Sequence, residues 1–237
     1  MGMRKLLQNS DFIKNFTNLS LNQGFNLIAT LIYTPLIFKS IGDEAFGIVH
    51  LIFSIIMIFS NFIYYGYNLN GPKMITDFDN TLNINSFISE ILSLRIFLSA
   101  LLILVIAPVL LYDFNYFNKI FLFSLCILLC EALNPIFYLQ GINNIFPYSM
   151  LNFLSKSLMI LLFYVFVNSK EDAYLVNFLF GITILFFYLI YWYQFYKKNN
   201  LRLIFSFRDI IRKLKTNLKF FLSTFWDHVT VNSALII

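Results

Sequence analysis

The sequence predicts an all-α integral membrane protein, and three observations carry that prediction. Mean hydropathy is +0.74 and only 12% of the 237 residues are charged. A soluble domain of this length needs far more charge to cover its surface, so the soluble globular and disordered classes are excluded. The apolar residues also fall into runs of about 20, the length that crosses a hydrocarbon core as a helix. Finally, Lys and Arg are distributed unevenly between the flanks of those runs.

Spans are expected near Phe16–Phe38, Phe46–Tyr67, Ile88–Leu111, Ile120–Leu139, Pro147–Val167, Leu175–Tyr196 and Phe220–Ile237. The runs are too long and too continuously apolar for barrel strands, which would be half as long and strictly alternating. The first span is longer than a signal h-region and no small-x-small cleavage site follows it, so it reads as a retained helix. With the N terminus inside, twelve Lys and Arg lie in cytoplasmic flanks, while only Lys39, Lys119 and Lys170 lie in outer ones. That asymmetry predicts a cytoplasmic N terminus.

The first span carries Asn22, Asn26, Thr30 and Thr34 at intervals of four, with Gln23 beside them, which places them along one helix face. The second carries His50, Ser54, Asn61, Tyr65 and Asn68 near one face and ends in Tyr64, Tyr65 and Tyr67. Amides in lipid need partners or water, so such stripes either glue helices together or face an aqueous cavity. Two consecutive stripes running the length of their helices favour the cavity.

Arg95 in the third span, Glu131 in the fourth, Lys156 in the fifth and Asp227 in the seventh are ionisable residues within apolar runs. Each costs on the order of 2.5 to 3.5 kcal/mol at mid-membrane. Counted inward from the cytoplasmic ends at about 1.5 Å per residue, all four fall roughly 6 to 14 Å deep. They are expected to form one charged network or to line one inward-facing chamber. Arg95 and Lys156 either snorkel to the interface or meet an anionic ligand. Glu131 is too short to snorkel and must be protonated, paired or wet. Glu131 and Asp227, the latter beside His228, are the candidates for carrying a coupling ion.

The fourth span also holds Cys126 and Cys130, four apart on one face, which make neither a disulfide framework nor a zinc site. Pro35, Pro108 and Pro135 each remove a backbone donor, and Pro135 would place a kink beside Glu131. Tyr191, Trp192, Tyr193 and Tyr196 close the sixth span and read, like Tyr64, Tyr65 and Tyr67, as interfacial anchors.

From Leu201 to Lys219, apolar residues at helical spacing oppose basic ones, predicting an amphipathic helix on an anionic inner leaflet rather than a nucleic-acid surface. The organisation expected is a six-helix lobe over 1–196, a cytoplasmic basic linker over 197–219, and over 220–237 the first helix of a truncated second lobe. No catalytic constellation is present. Phosphate-binding glycine loops, a nucleophile elbow and HExxH are all missing from the sequence, so an enzyme is not expected, nor a metal or cofactor.

Particular phrases go further. Leu21-Asn22-Gln23-Gly24 in the first helix, Ile41-Gly42-Asp43-Glu44-Ala45-Phe46-Gly47-Ile48 in an expected outer loop and Tyr65-Gly66-Tyr67-Asn68 closing the second span form one set. Together with Leu133-Asn134-Pro135-Ile136-Phe137-Tyr138-Leu139-Gln140-Gly141, the chain resembles the Wzx-type polysaccharide flippases. These belong to the multidrug/oligosaccharidyl-lipid/polysaccharide exporter superfamily. The resemblance implies a MATE-like N-terminal six-helix lobe plus the start of a seventh transmembrane helix, in a bacterial inner membrane protein about twice this long. It implies as substrate an undecaprenyl-pyrophosphate-linked oligosaccharide repeat unit for O-antigen, capsule or exopolysaccharide, with membrane lipid, a polysaccharide polymerase and a chain-length regulator as partners.

On that reading Arg95 and Lys156 would receive the pyrophosphate, while Asn22, Gln23, Asn26, Asn61 and Asn134 would hydrogen-bond sugar hydroxyls. The alternatives are a cation-coupled exporter of small molecules on the same fold and a noncatalytic membrane partner of a glycan-assembly complex. A membrane polymerase or ligase would need a large outer loop, and the sequence has none.

Overall fold

The computed structural model describes residues 2–78, 81–199, 203 and 205–233. They are helical nearly throughout, with no strand among them. In chain order the helices are α1 (Gly2–Tyr64), α2 (Tyr67–Thr76), α3 (Thr81–Tyr112), α4 (Tyr116–Ser124), α5 (Cys126–Ala132), α6 (Ile136–Gly141) and α7 (Phe146–Phe166). A 3-10 turn (Lys170–Asp172) leads into α8 (Ala173–Asn199), and α9 is Phe207–Ser233. Five helical stretches are long and apolar enough to cross a membrane: Ser20–Thr76, Ile84–Tyr112, Tyr116–Gly141, Phe146–Phe166 and Lys170–Asn199. The chain is therefore a multi-pass helical membrane protein by length and composition.

Six of the seven expected spans overlap these five stretches to within a few residues at their ends, because the first stretch holds two. Its 57 residues would extend about 85 Å as a straight helix, nearly three times a hydrocarbon core of about 30 Å. Gly42 resolves this: at φ 77°, ψ 172° it alone is non-helical inside α1, a conformation open to glycine and strained for other residues. The rings of Phe38 and Phe46 lie 5.4 Å apart across it, whereas eight residues of straight helix would separate them by about 12 Å along the axis. Ile37 and Val49 likewise line one small cavity. The outer loop expected over 41–48 is thus corrected to a single-residue break, since one glycine suffices to turn the chain back.

The core has two main parts. Ile52, Ile56, Leu128, Phe163 and Val176 are among the residues joining α1, α5, α7 and α8. Tyr67, Ile91, Phe137, Trp192 and Ile210 join α2, α3, α6, α8 and α9. Between α1 and α2, Tyr65 and Gly66 adopt left-handed backbone (φ 47° and 74°). A Cβ on Gly66 would stand 2.7 Å from the Phe220 carbonyl carbon and the Phe221 nitrogen, so this turn is also where α9 lies against the bundle. Asn217 fixes that contact, donating from Nδ2 to the Tyr65 carbonyl (2.5 Å) and accepting from Asn70 Nδ2 (2.9 Å). Lys213 pairs with Glu90 of α3 at 2.8 Å.

One helix runs through the 219/220 boundary expected between linker and seventh span, and α9 is not among the stretches apolar enough to cross. Residues 200–202 and 204 of the expected linker and 234–237 of the expected seventh span lie outside the described residues.

Candidate functional site

The polar centre of the bundle is built on a broken helix. Tyr116–Gly141 crosses as three short helices, and the second break falls between Ala132 and Ile136. Pro135 offers no N–H there, and Tyr138 turns its own N–H to the Pro135 carbonyl (3.0 Å). The carbonyls of Leu133 and Asn134 are left to side chains. Trp192 Nε1 of α8 donates to Leu133 O at 2.6 Å, and Arg95 Nη1 of α3 donates to Asn134 O at 3.1 Å. A broken helix in lipid is tolerated only where its freed groups find such partners.

Arg95 is fully buried. Its Nη2 donates to Asn68 Oδ1 of α2 at 2.7 Å, and its guanidinium lies 4.5 Å from the Phe137 ring centroid and 5.4 Å from that of Tyr64. Stacked, desolvated guanidinium–ring contacts of this kind contribute about 2 kcal/mol. Glu131, also buried, accepts from Asn134 Nδ2 at 3.0 Å and from the Tyr64 hydroxyl. Asn134 and Tyr64 therefore each connect the acid to the arginine. Through the Tyr148 hydroxyl, within reach of Asn134, Asn152 and Tyr188, the network continues into α7 and α8. Asn152 Nδ2 then donates to Asn22 Oδ1 of α1 at 3.2 Å. Two buried donors in this region, Arg95 Nε and Asn61 Nδ2, have no hydrogen-bond partner among the described residues.

Of the nine residues singled out in the sequence, four fall into this network: Arg95, Glu131, Asn134 and Asn22. Asn61 is buried with its amide nitrogen unpartnered. Gln23 is exposed and Asn26 half-buried on α1. Asp227 is exposed on α9, and the side chain of His228 lies outside the described residues. Lys156 sits elsewhere, in a groove between α1 and α7 lined also by Phe25, Ile28, Phe153 and Ser157, and shares no partner with Arg95. The single charged layer expected of Arg95, Glu131, Lys156 and Asp227 is thus divided: the first two are joined, the other two stand apart from them.

Three expected interfacial anchors turn inward instead. Trp192 and Tyr67 are buried, Tyr67 donating to the Lys213 carbonyl (3.1 Å), and Tyr64 reaches Glu131. Tyr193 and Tyr196 are exposed. Aromatic clustering at a span end marks the residues but leaves open which way each ring points, because that depends on the neighbouring helix. Asn152 and Tyr148 were not singled out; an amide and a phenol at a four-residue interval on an apolar helix were the available signal.

No family model matches the chain, and no solved structure matches it. It is similar to a protein of Escherichia coli (strain K12) named "Putative O-antigen transporter", at 25% identity over 169 residues, which is 70% of this chain and 41% of that protein. The matched region thus spans about two-fifths of the relative's length.

Proposed function

We propose that this chain forms part of an inner-membrane transporter that carries lipid-linked oligosaccharide repeat units of a surface polysaccharide from the cytoplasmic to the outer face. The observation that carries this reading is the 169-residue similarity to the E. coli protein, whose name gives O-antigen as its cargo. The physical arrangement supports it. A bundle of otherwise apolar helices holds buried amides, a carboxylate and an arginine around a broken span, and polar groups at such depth accompany transport pathways. Broken helices near mid-membrane are likewise where transporters assemble their binding groups. We assign Asn22, Gln23, Asn26, Asn61 and Asn134 as the candidates to hydrogen-bond sugar hydroxyls, and Glu131 as the candidate to couple an ion to movement.

The N terminus is assigned to the cytoplasm from the twelve-to-three bias of Lys and Arg. A cysteine introduced at Asn115 should then label from outside intact cells, and labelling from the cytoplasmic side alone would reverse the orientation. Function is tested by expressing the gene that encodes this chain in a strain lacking its own repeat-unit transporter. Restored surface polysaccharide is expected, and accumulation of the lipid-linked unit at the inner face despite normal protein level would refute the reading.

A further inference from the structure

We infer that the groove between α1 and α7 is a mid-membrane station for the phosphate of a translocating lipid, with Lys156 as the group that receives it. This rests on the proposed transport of a lipid-linked glycan and names one site for it. The first observation is depth. Lys156 is the central residue of α7, ten positions from Phe146 and ten from Phe166. At about 1.5 Å per residue it stands roughly 15 Å from either end, beyond what a four-carbon stem can span by snorkelling.

The second observation is isolation. Lys156 makes no hydrogen bond or ion pair among the described residues. Its surroundings are Phe25, Ile28, Ile32, Phe153 and Ile160, with the Ser157 hydroxyl committed to the Phe153 carbonyl at 2.9 Å. An ammonium at that depth is costly unless it meets an anion. Arg95, in the same bundle, is by contrast held by two hydrogen bonds and two aromatic rings.

Depth also selects the anion. Phospholipid phosphates lie in the headgroup layer, about 15 Å from mid-membrane, so a resident lipid does not bring its phosphate to this height. A phosphate in transit does. The groove suits the rest of such a molecule: it has a volume of about 110 Å³, and Phe25, Ile28, Ile32 and Phe153 are all more than 40% exposed along its walls, an apolar surface for an isoprenoid tail. One turn before Lys156, Asn152 is tied to Asn22 of α1, which brings a buried amide pair to the edge of the groove.

The test is binding of a polyisoprenyl diphosphate without glycan to the natural protein in phosphatidylcholine nanodiscs, for wild type, Lys156→Arg, Lys156→Gln and Lys156→Met. Wild type and Lys156→Arg should bind. The Gln and Met variants should lose about tenfold or more in affinity, as expected for removing a charge-assisted contact, and excess phosphatidylglycerol should not compete. If wild type binds and both neutral variants bind equally well, the assignment of Lys156 falls while the transport reading stands. Competition by phosphatidylglycerol would make the site one for resident lipid and overturn the inference. If wild type does not bind the probe at all, the lipid-linked substrate fails together with the site.

Discussion

Arg95 and Lys156 are both cations inside membrane-crossing helices, and the bundle treats them oppositely. Arg95 is enclosed, with Nη1 bonded to the break between α5 and α6, Nη2 bonded to α2, and the Phe137 and Tyr64 rings beside it. Lys156 faces an apolar groove with no partner among the described residues. Inserting either costs on the order of 2.5 to 3.5 kcal/mol. For Arg95 the fold offsets that cost through its own carbonyls and rings, so the charge is part of the architecture. For Lys156 nothing within the described bundle does, so the offset must come from outside it. A buried charge is thus informative about transport only after its partners are known.

Removing each cation should separate these roles. The largest effect is expected for Arg95→Gln, which strands Asn134 O and Asn68 Oδ1 and leaves the broken span without its clamp. A loss on the order of 3 kcal/mol is predicted, read as a lower Tm in detergent and less protein in the membrane. Arg95→Lys should recover only part, because one point charge cannot reproduce a fork that reaches both α2 and the break in the neighbouring span. Adding Glu131→Gln to Arg95→Gln should restore some stability, since the carboxylate has then lost its nearby cation.

Lys156→Met tests the other side of the comparison. Stability should hold or rise, by up to about 2 kcal/mol, because an uncompensated charge is replaced by an apolar side chain. A drop in Tm like that of Arg95→Gln would erase the distinction. Trp192→Phe removes the donor to Leu133 O together with part of a buried ring and should cost about 1 to 2 kcal/mol. Asn22→Ala, which releases the tie between α1 and α7 beside the groove, is expected to cost least, about 0.6 kcal/mol, the usual size of an interhelical hydrogen bond in membranes. Both would be measured as shifts in Tm against wild type.

Much of this arrangement was legible in the sequence, and the limits have physical causes. Helix length and apolarity marked the long stretches, because the bilayer fixes both. Pro135 beside Asn134 marked the break, because a missing N–H acts locally. The turn at Gly42 was less legible: a glycine among helix formers reads as part of a loop, yet φ of 77° at that one residue was enough. Least legible were the partners. Trp192 is 59 residues from Leu133 and Asn134 is 39 from Arg95, and equal depth in different helices does not say which side chains face each other. That is why Arg95 and Lys156, matched by depth, were expected together and stand apart.

The most direct measurement is surface polysaccharide and membrane protein level, taken together, for Arg95→Gln and Lys156→Met in the natural protein. Arg95→Gln should lose protein and export in parallel, whereas Lys156→Met should keep wild-type protein level and lose export. Wild-type export by Lys156→Met, or undiminished protein level in Arg95→Gln, would contradict the division of the two cations between substrate and fold.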